Sequence, residues 1–143
     1  MSVEIKKIGV GLDGSEAGYR ALKEALDLAK KLEAKIIGLH VLPIPADFAE
    51  LGTPVVELEA ELRKEAEAIL SRGREEAEAA GVSYEAVVLE GNTAEALANY
   101  GEKEKLDLLT VGYQGKSRLS ELIIGSVTSK LLSISRVPLL VVK

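Results

Sequence analysis

The chain has 143 residues, no cysteine, a single histidine and 23 acidic against 18 basic side chains, a formal net charge of −5. That length predicts one domain over residues 1–143, able to bury roughly 70% of the surface its unfolded chain exposes without disulfides or a structural metal. The composition excludes thiol chemistry, a zinc ribbon and a multi-histidine metal site, and the acidic balance argues against a nucleic-acid backbone as partner. With no apolar run approaching 18 residues and no signal-peptide core at the N-terminus, no membrane span is expected and a cytoplasmic location is.

Ile5 to Leu12 is a β-rich apolar run that stops at Asp13-Gly14-Ser15, a turn and helix-start signal. Leu22, Ala25, Leu26, Ala29 and Leu32 then form one stripe of an amphipathic helix. Ile36 to Leu42 reads as a second strand, ended by Pro43 and Pro45, and the stretch from Pro43 to Thr53 reads as a loop. Thr53-Pro54 predicts the start of a long helix through Ala80, with Gly81 as its stop. Val82 to Leu89 is a third strand. Asn92 and Glu95 have the spacing of a capping box for a helix through about Lys103. Leu106 to Gly112 and Val137 to Val142 complete the strands, with a helix over Ser126 to Ser135 between them. Strands alternating with helices predict right-handed crossovers and a doubly wound α/β fold, a five-stranded parallel sheet with helices on both faces.

In such a sheet the ligand sits beyond the carboxyl ends of the strands, where the strand order reverses. The candidates are therefore the residues just after each strand, and one group carries a pattern. Gly112-x2-Gly115 follows the fourth strand, and nine residues later Gly125-Ser126 opens the last helix. Glycines let backbone N–H groups approach a phosphate, and a helix start adds unpaired donors and a positive dipole end. Lys116 and Arg118 are candidates to screen phosphate charge. From Gly112 to Arg136 the bases Lys116, Arg118, Lys130 and Arg136 face Glu121 alone, a small basic segment in an acidic chain. Two nucleotide motifs do not fit. Gly115-Lys116-Ser117 resembles the end of a P-loop, but Thr110 stands where its first glycine belongs. Gly9, Gly11 and Gly14 match G-x-G-x-x-G formally, but the first two fall inside the first strand.

The spacing Gly112-x2-Gly115-x9-Gly125-Ser126 resembles the ATP-binding signature of universal stress proteins. The Val10-Gly11-Leu12-Asp13-Gly14-Ser15 opening, His40-Val41 at the end of the second strand and the closing Val137-Pro138-Leu139-Leu140-Val141-Val142 agree with it. The resemblance spans essentially the whole chain and implies strand order 3-2-1-4-5 and the ATP-binding subgroup. It implies that Asp13, preceded by Gly11, lies beside the nucleoside and that Val41 reads adenine through its backbone. It further implies that Gly112, Gly115, Gly125, Ser126 and the N–H of Val127 hold ribose and phosphates. ATP with Mg²⁺ or Mn²⁺ on its phosphates, few direct protein ligands to that metal, a homodimer through the last strand and an unidentified protein partner follow from the same likeness.

The residues also allow plainer roles. Asp13 could simply start the first helix with Ser15 as its cap. His40, with no carboxylate partner evident, is expected to be a buried, hydrogen-bonded imidazole and not a base. Tyr113 and Phe48 could flank the pocket or merely pack. Residues 50 to 80 hold nine acids against four bases, the whole of the negative excess, and the acidic helix from Val55 to Ala80 reads as a solvated face. The expected function is nucleotide-dependent stress regulation with no catalytic residue. A slow ATPase or phosphotransferase at the same site is the alternative, and it would need a group to orient the nucleophile that the sequence does not display.

Overall fold

The computed structural model describes residues 4–43, 53–115 and 123–143. In chain order the elements are β1 (Lys7–Gly11), α1 (Glu16–Leu32), β2 (Lys35–Leu42), α2 (Thr53–Ala80), β3 (Tyr84–Glu90), α3 (Thr93–Lys103), β4 (Leu108–Gly112), α4 (Ser126–Ile134) and β5 (Leu139–Val142). The strands form one parallel sheet in the order β3-β2-β1-β4-β5. The expected topology and doubly wound architecture are therefore observed, with the strand order reversing between β1 and β4.

Alternation along the strands divides the core in two. Ile8 and Val10 of β1 and Ile36 of β2 face α1 and α2, where they meet Leu22, Leu26, Ile69 and Leu70. Ile37 and Leu39 of β2 and Leu109 and Val111 of β4 point the other way, onto Leu97 of α3 and Leu131 of α4. Both faces of the central strands are thus buried, the condition under which parallel strands read as continuous apolar runs.

The helix ends follow their local chemistry. Ser15 caps α1 by accepting the Gly18 N–H at 3.1 Å, and Asn92 caps α3 by accepting the Glu95 N–H at 3.2 Å. Only half of the expected capping box forms, because the Glu95 carboxylate pairs with Lys130 of α4 at 2.9 Å. Gly81 follows α2 at φ 72°, a left-handed position suited to glycine. Glycine also makes room for Tyr84. Its phenol lies against Gly38 of β2 and Gly73 of α2, where a Cβ would collide with it, and its hydroxyl donates to the Leu70 carbonyl at 2.9 Å. Burial pushes its pKa up to about 12.

Several bounds shift from expectation. β3 begins at Tyr84, β4 at Leu108 and β5 at Leu139, each two residues later than the apolar runs suggest. The cause is shared by the first two. The Val82 N–H bonds back to the Ala77 carbonyl and the Leu106 N–H to the Gly101 carbonyl, at 2.9 Å each. Both residues close the preceding helix and are buried as its terminal apolar contact.

Candidate functional site

β1 and β4 pair only as far as Val10 and Thr110. Beyond that pair the two chains leave the sheet on opposite sides, β1 into α1 and β4 toward α4, and a crevice opens at their carboxyl ends. Gly14, at φ 88°, supplies the sharp turn that β1 makes into α1.

Asp13 lies at the mouth of this crevice. Its Oδ1 accepts from the Ser15 N–H at 2.9 Å and from the Ser15 hydroxyl, so the carboxylate is oriented by the residue that also caps α1. Its Oδ2 faces Gly115, where a Cβ would lie 2.8 Å from that oxygen. The turn role and the switch-point position of Asp13 are therefore compatible, and Ser15 is a positioning residue that the sequence offered only as a cap. Gly18 completes the arrangement, since a Cβ there would come within 3.3 Å of Asp13 Oδ1.

The three glycines ahead of α4 and the two of β1 do different things. A Cβ on Gly112 would sit 2.8 Å from the carbonyl carbon and oxygen of Ala17 in α1, so this glycine lets helix and strand approach closely. Its carbonyl accepts the Thr128 hydroxyl at 2.7 Å, which ties β4 to α4. Gly11 likewise has a packing reason, with Leu97 and Val111 side chains 3.3 Å from a Cβ there. Gly9 is tighter still, under Leu106 at 2.6 Å, so the formal G-x-G-x-x-G is a packing pattern. Gly115 and Gly125 are different. Around Gly125 the nearest atoms are backbone, the Gln114 Cα at 3.2 Å, the Gly115 nitrogen at 3.3 Å and the Tyr113 oxygen at 3.4 Å. Its N–H donates to the Tyr113 carbonyl at 2.8 Å, and the Gln114 side-chain amide donates to the Ile123 carbonyl at 2.7 Å. These two bonds draw the start of α4 up against Gly115.

At that start no side chain caps the helix. Gly125 is the N-cap residue, and Ser126 behind it is exposed. In α1 and α3 a side-chain oxygen of the N-cap residue accepts from the first turn; at α4 the N-cap residue, Gly125, supplies none, and this helix start lies beside Gly115.

The remaining candidates distribute as follows. Val41 is buried at the end of β2 and Val127 is half-buried in the first turn of α4. His40 is half-buried, less enclosed than expected, with Nδ1 2.6 Å from the Leu12 carbonyl. Tyr113 turns toward β5, its N–H bonded to the Val142 carbonyl and its ring 5.2 Å from the Lys143 ammonium. Lys130 and Arg136 pair with Glu95 and Glu102 of α3. They are therefore not part of a basic loop at the crevice. Phe48, Lys116, Arg118 and Glu121 lie outside the described residues. Among the described residues no three His, Asp or Glu side chains gather as a metal site would require, and no helix is long and apolar enough to cross a membrane.

The chain is a doubly wound α/β protein in which Asp13, Gly115, Gly125 and the start of α4 meet where the strand order reverses. The chain belongs to the universal stress protein family, whose family model matches residues 4–143. It is 32% identical over 139 residues to Universal stress protein MJ0531 of Methanocaldococcus jannaschii, covering 96% of this chain and 82% of that one. The solved structure of MJ0577 superposes with a TM-score of 0.88 at 30% identity, over 99% of this chain and 97% of that one; that protein is a universal stress protein of the same archaeon. A universal stress protein solved in complex with cAMP superposes with a TM-score of 0.73 at 27% identity, covering 98% of each chain.

Proposed function

We propose that this chain is an ATP-binding universal stress protein, acting as a nucleotide-dependent regulatory module of the cytoplasm. The observation that carries this reading is the convergence at the switch point of Asp13, Gly115 and Gly125 with the uncapped start of α4. A helix start with unpaired donors and a positive dipole end suits phosphate oxygens, and the glycines at 115 and 125 let that start and the Asp13 carboxylate approach one another. The phosphates lie along Gly112, Gly115, Gly125, Ser126 and the Val127 N–H. The ribose lies beside Gly11 and Asp13, and the adenine edge meets the Val41 backbone. Any Mg²⁺ or Mn²⁺ is carried by the phosphates. The cAMP carried by a relative supports an adenine nucleotide.

β5 is an edge strand with four apolar residues, each only half-buried, and its outer edge pairs with no other strand among the described residues. Such an edge invites pairing, and a second copy of the chain is the proposed occupant, giving a homodimer. Sedimentation at micromolar concentration is expected to give twice the chain mass; a monomer throughout would remove this part of the reading.

The nucleotide reading is tested by denaturing release of co-purified nucleotide and by melting. ATP at 100 times its dissociation constant is expected to stabilise the fold by about 2.7 kcal/mol. No retained nucleotide together with no rise in Tm under excess ATP would remove it. Steady release of phosphate at dedicated-kinase rates would instead make the site catalytic.

A further inference from the structure

The β1–β2 ladder ends abnormally. In a parallel pair the hydrogen bonds alternate at even spacing along the two chains. The last register pair is Gly11 with Leu39, and the Leu12 N–H still donates to the Leu39 carbonyl at 2.8 Å. The next bond of that ladder would run from the Val41 N–H to the Leu12 carbonyl. It does not form. The Leu12 carbonyl accepts from the His40 side chain instead, with Nδ1 2.6 Å away. A carbonyl can only accept, so Nδ1 carries the proton.

The consequence falls on Val41. Alternate residues of β2 turn their peptide groups to opposite neighbours. Lys35 and Leu39 bond toward β1, whereas Ile36 and Leu42 bond toward the β3 side, through Ser83 and Gly91. Val41 therefore directs its N–H and C=O toward β1, just beyond the last register pair. Among the described residues neither group takes a hydrogen bond. The result is an adjacent donor and acceptor at the crevice. This pair complements the N1 acceptor and amino donor on adenine's edge.

We propose that the His40 imidazole, by occupying the Leu12 carbonyl, holds the Val41 N–H out of the β1–β2 ladder and keeps it available to the adenine edge. His40 is then a positioning residue for base recognition, acting through the Leu12–Val41 backbone without touching the ligand. The affinity consequence rests on the ATP-binding reading above; the backbone arrangement does not.

Two measurements separate these. In the ligand-free protein, amide exchange followed by NMR is expected to show Val41 exchanging faster than Leu39. In His40→Leu the Leu12 carbonyl returns to the Val41 N–H, whose exchange slows about tenfold. ATP titrations then use His40→Asn, whose amide nitrogen reaches the position of Nδ1, and His40→Gln, whose amide nitrogen reaches that of Nε2. ATP binding is expected to stay near wild type in His40→Asn and to weaken about tenfold in His40→Leu and His40→Gln, the worth of one hydrogen bond. Binding of inorganic triphosphate is expected to be equal in all four proteins, with melting curves confirming that each is folded. Unchanged Val41 exchange in His40→Leu overturns the proposal. So does ATP affinity restored by Gln and not by Asn, which would place Nε2 on the ligand. If the wild type binds no ATP, the nucleotide reading fails, and the Val41 exchange comparison still decides the role of His40.

Discussion

Gly112→Ala is expected to lower the unfolding free energy by about 1–3 kcal/mol, the usual cost of forcing a methyl group into filled space. In a urea titration this moves the midpoint down by roughly 1 M with little change in slope. The reason is the identity of the colliding atoms. The added carbon would lie 2.8 Å from the backbone carbonyl of Ala17, and a helix backbone cannot rotate aside as a side chain can. Relief requires α1 to lift from β4, which disturbs the small residues Ala17 and Ala21 that let this helix sit close to the sheet. It also strains the bond from Thr128 to the Gly112 carbonyl, and so loosens α4. An unchanged midpoint would refute the packing role and leave Gly112 to the phosphates alone.

That outcome bears on what a sequence can reveal. The glycine spacing singled out this sheet edge, because a ligand and a close helix contact both demand the absence of Cβ there. Spacing cannot distinguish the two demands. Gly112 and Gly11 lie against helix backbone and core side chains, whereas the Gly115 Cβ position meets the end of the Asp13 side chain at the crevice mouth. The fold was legible for a different reason. Strands buried on both faces produce apolar runs, and Ser15, Asn92 and Gly81 mark helix ends with chemistry that is local in sequence. Val82 and Leu106 misled about the strand starts because a helix-closing residue and a buried strand residue select the same apolar side chains. His40 misled in a subtler way. A satisfied imidazole was expected, but its acceptor is a carbonyl 28 residues away, and only the register of β1 against β2 shows that this carbonyl was due to Val41. Lys130 and Arg136 carried a charge count that ignored direction, and their partners on α3 take them out of the crevice.

Gly115→Val is expected to abolish the ATP-driven rise in Tm while costing the ligand-free fold less than Gly112→Ala does. The colliding atom at position 115 is the far end of a partly exposed side chain, Asp13 Oδ2, which can swing away from its 2.8 Å approach. Swinging has a functional cost. Oδ1 must then release the Ser15 N–H and hydroxyl, and the carboxylate leaves the position proposed for the ribose. The branched side chain also fills the space beside the α4 start, where the first N–H groups would meet phosphate oxygens. On the proposed function, wild-type protein at 100 times the dissociation constant is expected to gain about 2.7 kcal/mol from ATP, equivalent to several degrees in Tm. A variant that retains its ligand-free melting temperature and loses that gain separates binding from folding. A variant that keeps the gain would place the phosphates away from Gly115, and the Asp13–Gly115 contact would then be packing, as it is at Gly112.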